Sequence, residues 1–275
     1  LRAFGDFIIA VYTASKSRLD VPVTLIASKH LEPLYKAIPI TFPSSVNLQF
    51  HDFGIRNNIF SCFTNKFIFS LNTVKELRAL RSYIRGNCLQ AGINYMEKRN
   101  RIFVPRLFTG YPFQCIVSDQ NVYEAYADFF CVSFNELEGD AVDLRRKGMR
   151  ILVIPDARQK KRNIGDFIIK KIVDAYAPGD NMITTAFFKE RKNYFTDRME
   201  IYQNFPELIE LIRNSDVVIG ADSMPVHIAQ MLGKPHFILH PEGIKDDFFT
   251  PFSRKHKTHF TFEDMASRKS FLPNE

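Results

Sequence analysis

Cysteine is scarce, with four residues in 275, at Cys62, Cys88, Cys115 and Cys131, and no two form a C-x-x-C pair. That spacing argues against a redox or thiolate-metal motif and for buried thiols in a reducing compartment. Long hydrophobic runs are also missing. No stretch approaches the roughly 18 apolar residues of a membrane span, and no secretory leader is visible, so a cytoplasmic location is expected. Leu1 stands where a Met would open a chain, and only a short first strand is expected ahead of Gly5. The nucleotide loops G-x-x-x-x-G-K-[ST] and G-x-G-x-x-G are absent, as is a D-x-D pair for a divalent cation. His256 and His259 lie among lysines at a spacing too loose for zinc and read as a titrating basic surface. No metal is therefore expected.

What is present suits two moderate α/β domains. Hydrophobic residues make up 45% of the chain, including 27 Phe, enough for two cores. The polar stretch GDAVDLRRKG, from Gly139 to Gly148, precedes a fresh strand, which divides the chain into residues 1–144 and 145–275. Strand candidates fall at Val21 to Ala27, Val46 to His51, Cys115 to Ser118, Arg150 to Ile154 and Asn181 to Phe187. Helix candidates fall at Leu31 to Ile38, Thr73 to Ile84, Val122 to Phe130 and Phe205 to Ile212. This alternation predicts doubly wound sheets in both halves. The net charge of +7 suits a protein that meets anions. RQKKR at 158–162 and RKHKTHF at 254–260 mix basic and aromatic residues but belong to no recognisable nucleic-acid module, so no nucleic-acid partner is expected.

Residues 214–240 carry the most information. Asp216 to Ala221 is an apolar, β-branched run, Asp222 and Ser223 are good N-cap residues, and Pro225 suits a first helical turn. Ile228, Met231 and Leu232 make a helical stripe. Gly233 and Pro235 stop it, and His236 to His240 resumes as a strand. In such a parallel unit the ligand sits beyond the carboxyl ends of the strands, here at Asp222 to His227, where free N–H groups favour a phosphate.

The same residues resemble the signature of glycosyltransferase family 9, the ADP-heptose:lipopolysaccharide heptosyltransferases, which reads D-[TS]-G-x-x-H and later L-G-x-P. Here it stands as Asp222-Ser223-Met224-Pro225-Val226-His227 and Leu232-Gly233-Lys234-Pro235, with Met224 in place of the family's Gly. Arg2, Gly5 and Asp6, spaced here as R-x-x-G-D, resemble the family's R-x-x-x-G-D turn. Pro155-Asp156-Ala157 followed by the basic run 158–162 resembles its P-G-[AS] loop, with Asp156 replacing a second Gly. The match covers residues 1–14 and roughly 145–260.

The resemblance implies a GT-B architecture, two facing Rossmann-like doubly wound domains with a central cleft, acceptor on the first and nucleotide-sugar on the second. It implies inverting, metal-independent transfer, in which a single carboxylate takes the acceptor hydroxyl's proton; Asp6 is the candidate base. The plainer reading of Asp6 is a cap on a helix starting at Phe7. Gly5, Asp156, Ala157, Lys160, Lys161, Ser223 and Met224 would line the donor site, with Lys161 the main phosphate cation. Asp222 and His227 would orient the donor, and Glu190 would meet its ribose. The implied function is transfer of a sugar, heptose from ADP-heptose, to a lipopolysaccharide core or related surface glycan of the bacterial cell envelope. No cofactor beyond the nucleotide-sugar is expected, and the lipid-linked or oligosaccharide acceptor would bring peripheral contact with the cytoplasmic face of the inner membrane. Two alternatives stay open: a GT-B transferase using a UDP- or GDP-sugar, and a degenerate member that binds nucleotide or glycan without catalysis.

Overall fold

Strands β5 (Arg150–Ile154), β6 (Met182–Phe187), β7 (Arg198–Ile201), β8 (Val217–Ala221), β9 (His236–His240) and β10 (His259–Thr261) read as near-continuous apolar runs at the centre and become more polar outward. Such a pattern belongs to a parallel sheet covered on both faces. The computed structural model, which describes residues 3–52, 71–86, 94–98, 110–117, 119–140, 147–176, 180–188, 196 and 198–267, has this sheet. Its order is β10-β9-β8-β5-β6-β7, parallel throughout.

Alternate residues of each central strand serve different layers. Ile151, Val153, Val217, Ile219 and Ala221 join Ile168, Ile169 and Ile172 of helix α5 (Asp166–Tyr176) and Met265 of α9 (Phe262–Ser267). Leu152, Ile154 and Val218 face the other way, onto Leu208, Ile209 and Ile212 of α6 (Phe205–Arg213) and Ile228 and Ala229 of α7 (Met224–Met231). This is the doubly wound arrangement.

That second core continues into the first half of the chain, through Phe7, Ile8 and Val11 of α1 (Phe4–Ala14) and Leu34 of α2 (Glu32–Ala37). Every residue of α1 from Phe7 to Ala14 is buried. A helix apolar all round must be covered all round. One side of α1 meets α7, and the other packs Ile9, Ala10 and Tyr12 against Tyr123 and Tyr126 of α4 (Val122–Phe130). The remaining described strands and α-helix of this half are two parallel pairs, β1 (Val23–Ser28) with β2 (Val46–His51) and β3 (Asn94–Lys98) with β4 (Phe113–Val117), and α3 (Leu71–Gly86).

The chain then returns to its first half. Helix α8 (Pro251–His256) brings Arg254 to Glu124 (2.5 Å) and Lys255 to Glu138 (2.8 Å). Asn121 uses its carbonyl oxygen to accept the Tyr123 N–H (2.9 Å) at the start of α4, and its amide donates to the carbonyls of Asp246 (2.7 Å) and Phe249 (2.9 Å). No described helix is long and apolar enough to cross a membrane.

Several expectations need correction. Helix α1 begins at Phe4 with Ala3 as N-cap, so Gly5 and Asp6 lie inside its first turn and Asp6 does not cap a helix at Phe7. Cys131 is exposed rather than buried, because it ends α4 in the left-handed conformation (φ 56°), where the chain turns outward; Cys115 is half-buried. Cys62 and Cys88 lie outside the described residues. Val21 is 59% exposed and precedes β1 rather than opening it. His259 is no exposed basic residue: it sits in β10 with its ring 4.6 Å from Phe249, and burial lowers its pKa. The stretch 141–146 within the expected domain boundary also lies outside the described residues.

Candidate functional site

The site starts from a packing constraint in β8. A Cβ on Gly220 would stand 2.8 Å from Cγ1 of Val226, closer than side chains tolerate, so glycine lets α7 lie tight against its own strand. The turn between them, Asp222 and Ser223, is thereby held at the carboxyl edge of the sheet. Ser223 is the N-cap of α7 and Pro225 occupies its first turn, as the sequence predicts. Gly233 takes φ +65° after the helix.

A second loop closes onto this turn. After β5, Asn163 accepts the Ala157 N–H (2.9 Å) and Ile164 donates to the Pro155 carbonyl (3.0 Å), folding the basic run into a tight turn. The Ser223 hydroxyl donates to the Asp156 carbonyl at 3.3 Å. Arg162 forms an ion pair with the Asp222 carboxylate at 3.0 Å and also reaches its carbonyl at 3.4 Å. Asp222 is only 3% exposed, and its pKa is raised by burial against the opposing pull of Arg162 and His240. Lys160 and Lys161, on the same turn, remain exposed.

His227 lies one turn into α7 and is buried. Its Nδ1 is 3.0 Å from the hydroxyl of Tyr123, on α4. Burial, with the charges of His236 and Arg162 adding to it, pushes the imidazole down to about 3, so it is neutral at physiological pH. Burial likewise holds the Tyr123 phenol well above its usual range. The other edge of the ring faces α1: a Cβ on Gly5 would meet His227 Cδ2 at 3.2 Å and Nε2 at 3.5 Å. Asp6 follows on the same turn, partly exposed, and its carboxylate has no hydrogen-bond or ion-pair partner among the described residues. The arrangement offers an anion a helix N-terminus and neighbouring cations, with a free carboxylate on the facing helix.

No sequence-family model matches this chain, and no curated protein matches it in sequence. Solved structures do. The E. coli heptosyltransferase WaaC with ADP superposes at TM-score 0.57 and 10% identity, over 98% of this chain and 97% of that one. A glycosyl transferase family 9 protein from Veillonella parvula gives 0.57 at 11% identity, over 94% and 82%. E. coli ADP-heptose lps heptosyltransferase II gives 0.53 at 13%, over 95% and 88%. The fold is that of the family 9 glycosyltransferases.

Within this family 9 fold, Gly5, Asp6, Asp156, Ser223, Asp222 and His227 converge from three separate stretches of sequence. Ala157 packs against the core beneath them. Met224 opens α7, and its side chain rests on the second core. Neither Met224 nor Asp156 adopts positive φ, so the two replacements of family glycines carry no backbone strain. Glu190 and Arg2 lie outside the described residues. Two participants were not anticipated. Arg162 sits in the basic run indistinguishable from its neighbours, and Tyr123 sits in a helix whose sequence carries no sign of a site. Among the described residues no cluster of His, Cys, Asp and Glu could hold a metal ion.

Proposed function

We propose that this chain is an inverting glycosyltransferase of heptosyltransferase type, using a nucleoside diphosphate sugar and specifically ADP-heptose. The observation that carries the reading is the meeting of Gly5 with His227, which brings the first turn of α1, and with it the free carboxylate of Asp6, to the anion-favouring start of α7. The structural neighbour solved with ADP supports the choice of nucleotide. In the reaction, Asp6 takes the proton of the acceptor hydroxyl as its oxygen attacks the anomeric carbon. The bond from that carbon to the diphosphate breaks, its electron pair leaving with the phosphate oxygen. Lys160, Lys161 and the Met224 N–H meet the developing charge in place of a metal ion. A lipopolysaccharide core or related surface glycan is the proposed acceptor, and a net charge of +7 suits a chain that works against the anionic face of a membrane.

Asp6→Asn is expected to lower kcat by about 10²–10⁴-fold while leaving ADP affinity nearly unchanged. Unchanged turnover removes Asp6 from the chemistry. Calorimetry with ADP, UDP, GDP and CDP, each with and without Mg²⁺, tests the donor: a Mg²⁺-independent preference for ADP is expected, and preference for another base redirects the reading to that nucleotide-sugar.

A further inference from the structure

Tyr123 is fully buried, and its hydroxyl has one hydrogen-bond partner among the described residues, Nδ1 of His227 at 3.0 Å. A phenol has one proton to donate, and a buried donor left unpaired costs about 1–3 kcal/mol. If Nδ1 carried the imidazole proton, the tyrosine proton would have nowhere to go. With the proton on Nε2, the phenol donates to Nδ1, and Nε2–H, which is not among the fully buried unpartnered atoms, is free to donate to a ligand or solvent. Nε2 lies on the ring edge that faces Gly5, at the start of α1, where glycine leaves room beside it. The bond joins residues 104 positions apart, from α4 to α7, so it fixes the ring from outside the helix that carries it.

We propose that Tyr123 is a positioning residue that locks His227 in the Nε2-protonated tautomer and presents that N–H, as a neutral donor, to an oxygen of the bound nucleotide diphosphate between α1 and α7. His227 then has no lone pair available at the α1 face and does not serve as a base there. Asp6, which follows Gly5 in the first turn of α1, is the group proposed to accept a proton. The presentation to ligand rests on the nucleotide-sugar reading above, whereas the tautomer does not.

The test is ¹⁵N NMR of histidine-labelled protein without ligand, the His227 resonances being assigned by their loss in His227→Gln. A pyridine-type Nδ1 and a pyrrole-type Nε2 are expected in the intact chain, giving way to a tautomer mixture in Tyr123→Phe. A pyrrole-type Nδ1 in the intact chain, or a tautomer unmoved by Tyr123→Phe, overturns the proposal. Where Tyr123→Phe does not fold, 3-fluorotyrosine labelling gives the same reading, because a more acidic phenol moves the Nδ1 resonance only if it donates there. The ligand arm compares ADP binding: His227→Gln, which keeps a donor near Nε2, should stay within a few-fold of the intact chain, and His227→Asn should lose about tenfold or more. Equal losses, or better binding by His227→Asn, overturn the presentation to ligand. If the intact chain binds no nucleotide diphosphate, the transferase reading and the presentation fall together, and the spectra still decide the tautomer.

Discussion

The two halves of this chain are stabilised differently. Between Arg150 and Thr261 the strands form one parallel sheet with helices on both faces, so each central strand is enclosed by its own neighbours. Between Phe4 and Phe130 the described strands form separate pairs, and the most deeply buried element is the helix α1, wedged between α4 and α7. The second half supplies a sheet edge that carries Asp222, Ser223 and His227. The first half brings Asp6 to that edge by docking a helix onto it. A carboxylate held this way, the proposed base, depends on a shared core, and the sharpest experiments ask how far that sharing goes.

Phe7→Ala should have the largest effect on stability. Phe7 is fully buried in the core common to both halves, and its loss should cost about 3–5 kcal/mol. Urea unfolding of the variant should remain a single transition; two transitions, with only one displaced, would mean that the halves fold independently. Acid should act mainly through the second half. Burial holds His227 down to about 3 and His236 to about 4, against 6.5 for a free imidazole. Both are depressed, so below about pH 6.5 the unfolded chain binds protons that the folded chain refuses. Their contribution is complete above that pH and is lost as pH falls toward the folded values. Asp222 has the opposite sign, since its raised pKa removes stability as pH rises through the folded value. His236→Gln lacks one of the two imidazoles, so its loss of stability from pH 7.5 to 5.5, read by urea titration, should be smaller by about 1.4 kcal/mol. An identical loss would mean that His236 is charged in the fold.

Arg162→Gln tests the loop that joins β5 to the α7 turn. It leaves the Asp222 carboxylate buried without its cation, a cost of about 3–5 kcal/mol for a fully enclosed pair and about 1–3 here, because the Arg162 side chain is 28% exposed. Asp222→Asn in the same background should recover part of it; no recovery would show that the guanidinium acts through packing. The smallest effect expected is that of Gly5→Ala. Its Cβ would press the His227 ring by a few tenths of an ångström, with a loss of stability of about 1 kcal/mol or less. A few-fold weakening of ADP binding would tie the ring's position to the ligand, and unchanged binding would separate them.

Much of the second half was legible residue by residue. β5, β9 and, in the first half, β2 and α4 have the expected boundaries, because continuous apolar or alternating strand runs, or helical periodicity, are written into short stretches with clear punctuation. Helix α5 was legible too, through Ile168, Ile169, Ile172 and Tyr176 at helical spacing, although no helix was assigned there. The start of α1 was misjudged because Gly5-Asp6 has the chemistry of a turn. Only docking against α4 and α7 makes helix the better state for residues so apolar, and docking is not a local property. The hidden parts of the site share this cause.

The sequence by itself determined the strand-turn-helix-strand unit from Val217 to His240, since periodicity, capping and glycine-proline punctuation act between residues a few positions apart. Tertiary structure alone decided which of Lys160, Lys161 and Arg162 meets Asp222, and that Tyr123 rather than some other group holds His227. Those contacts span 60 and 104 residues. At such separations the energy of a pair depends on where the fold places both partners and how deeply it buries them, and nothing in either residue's local neighbourhood records that.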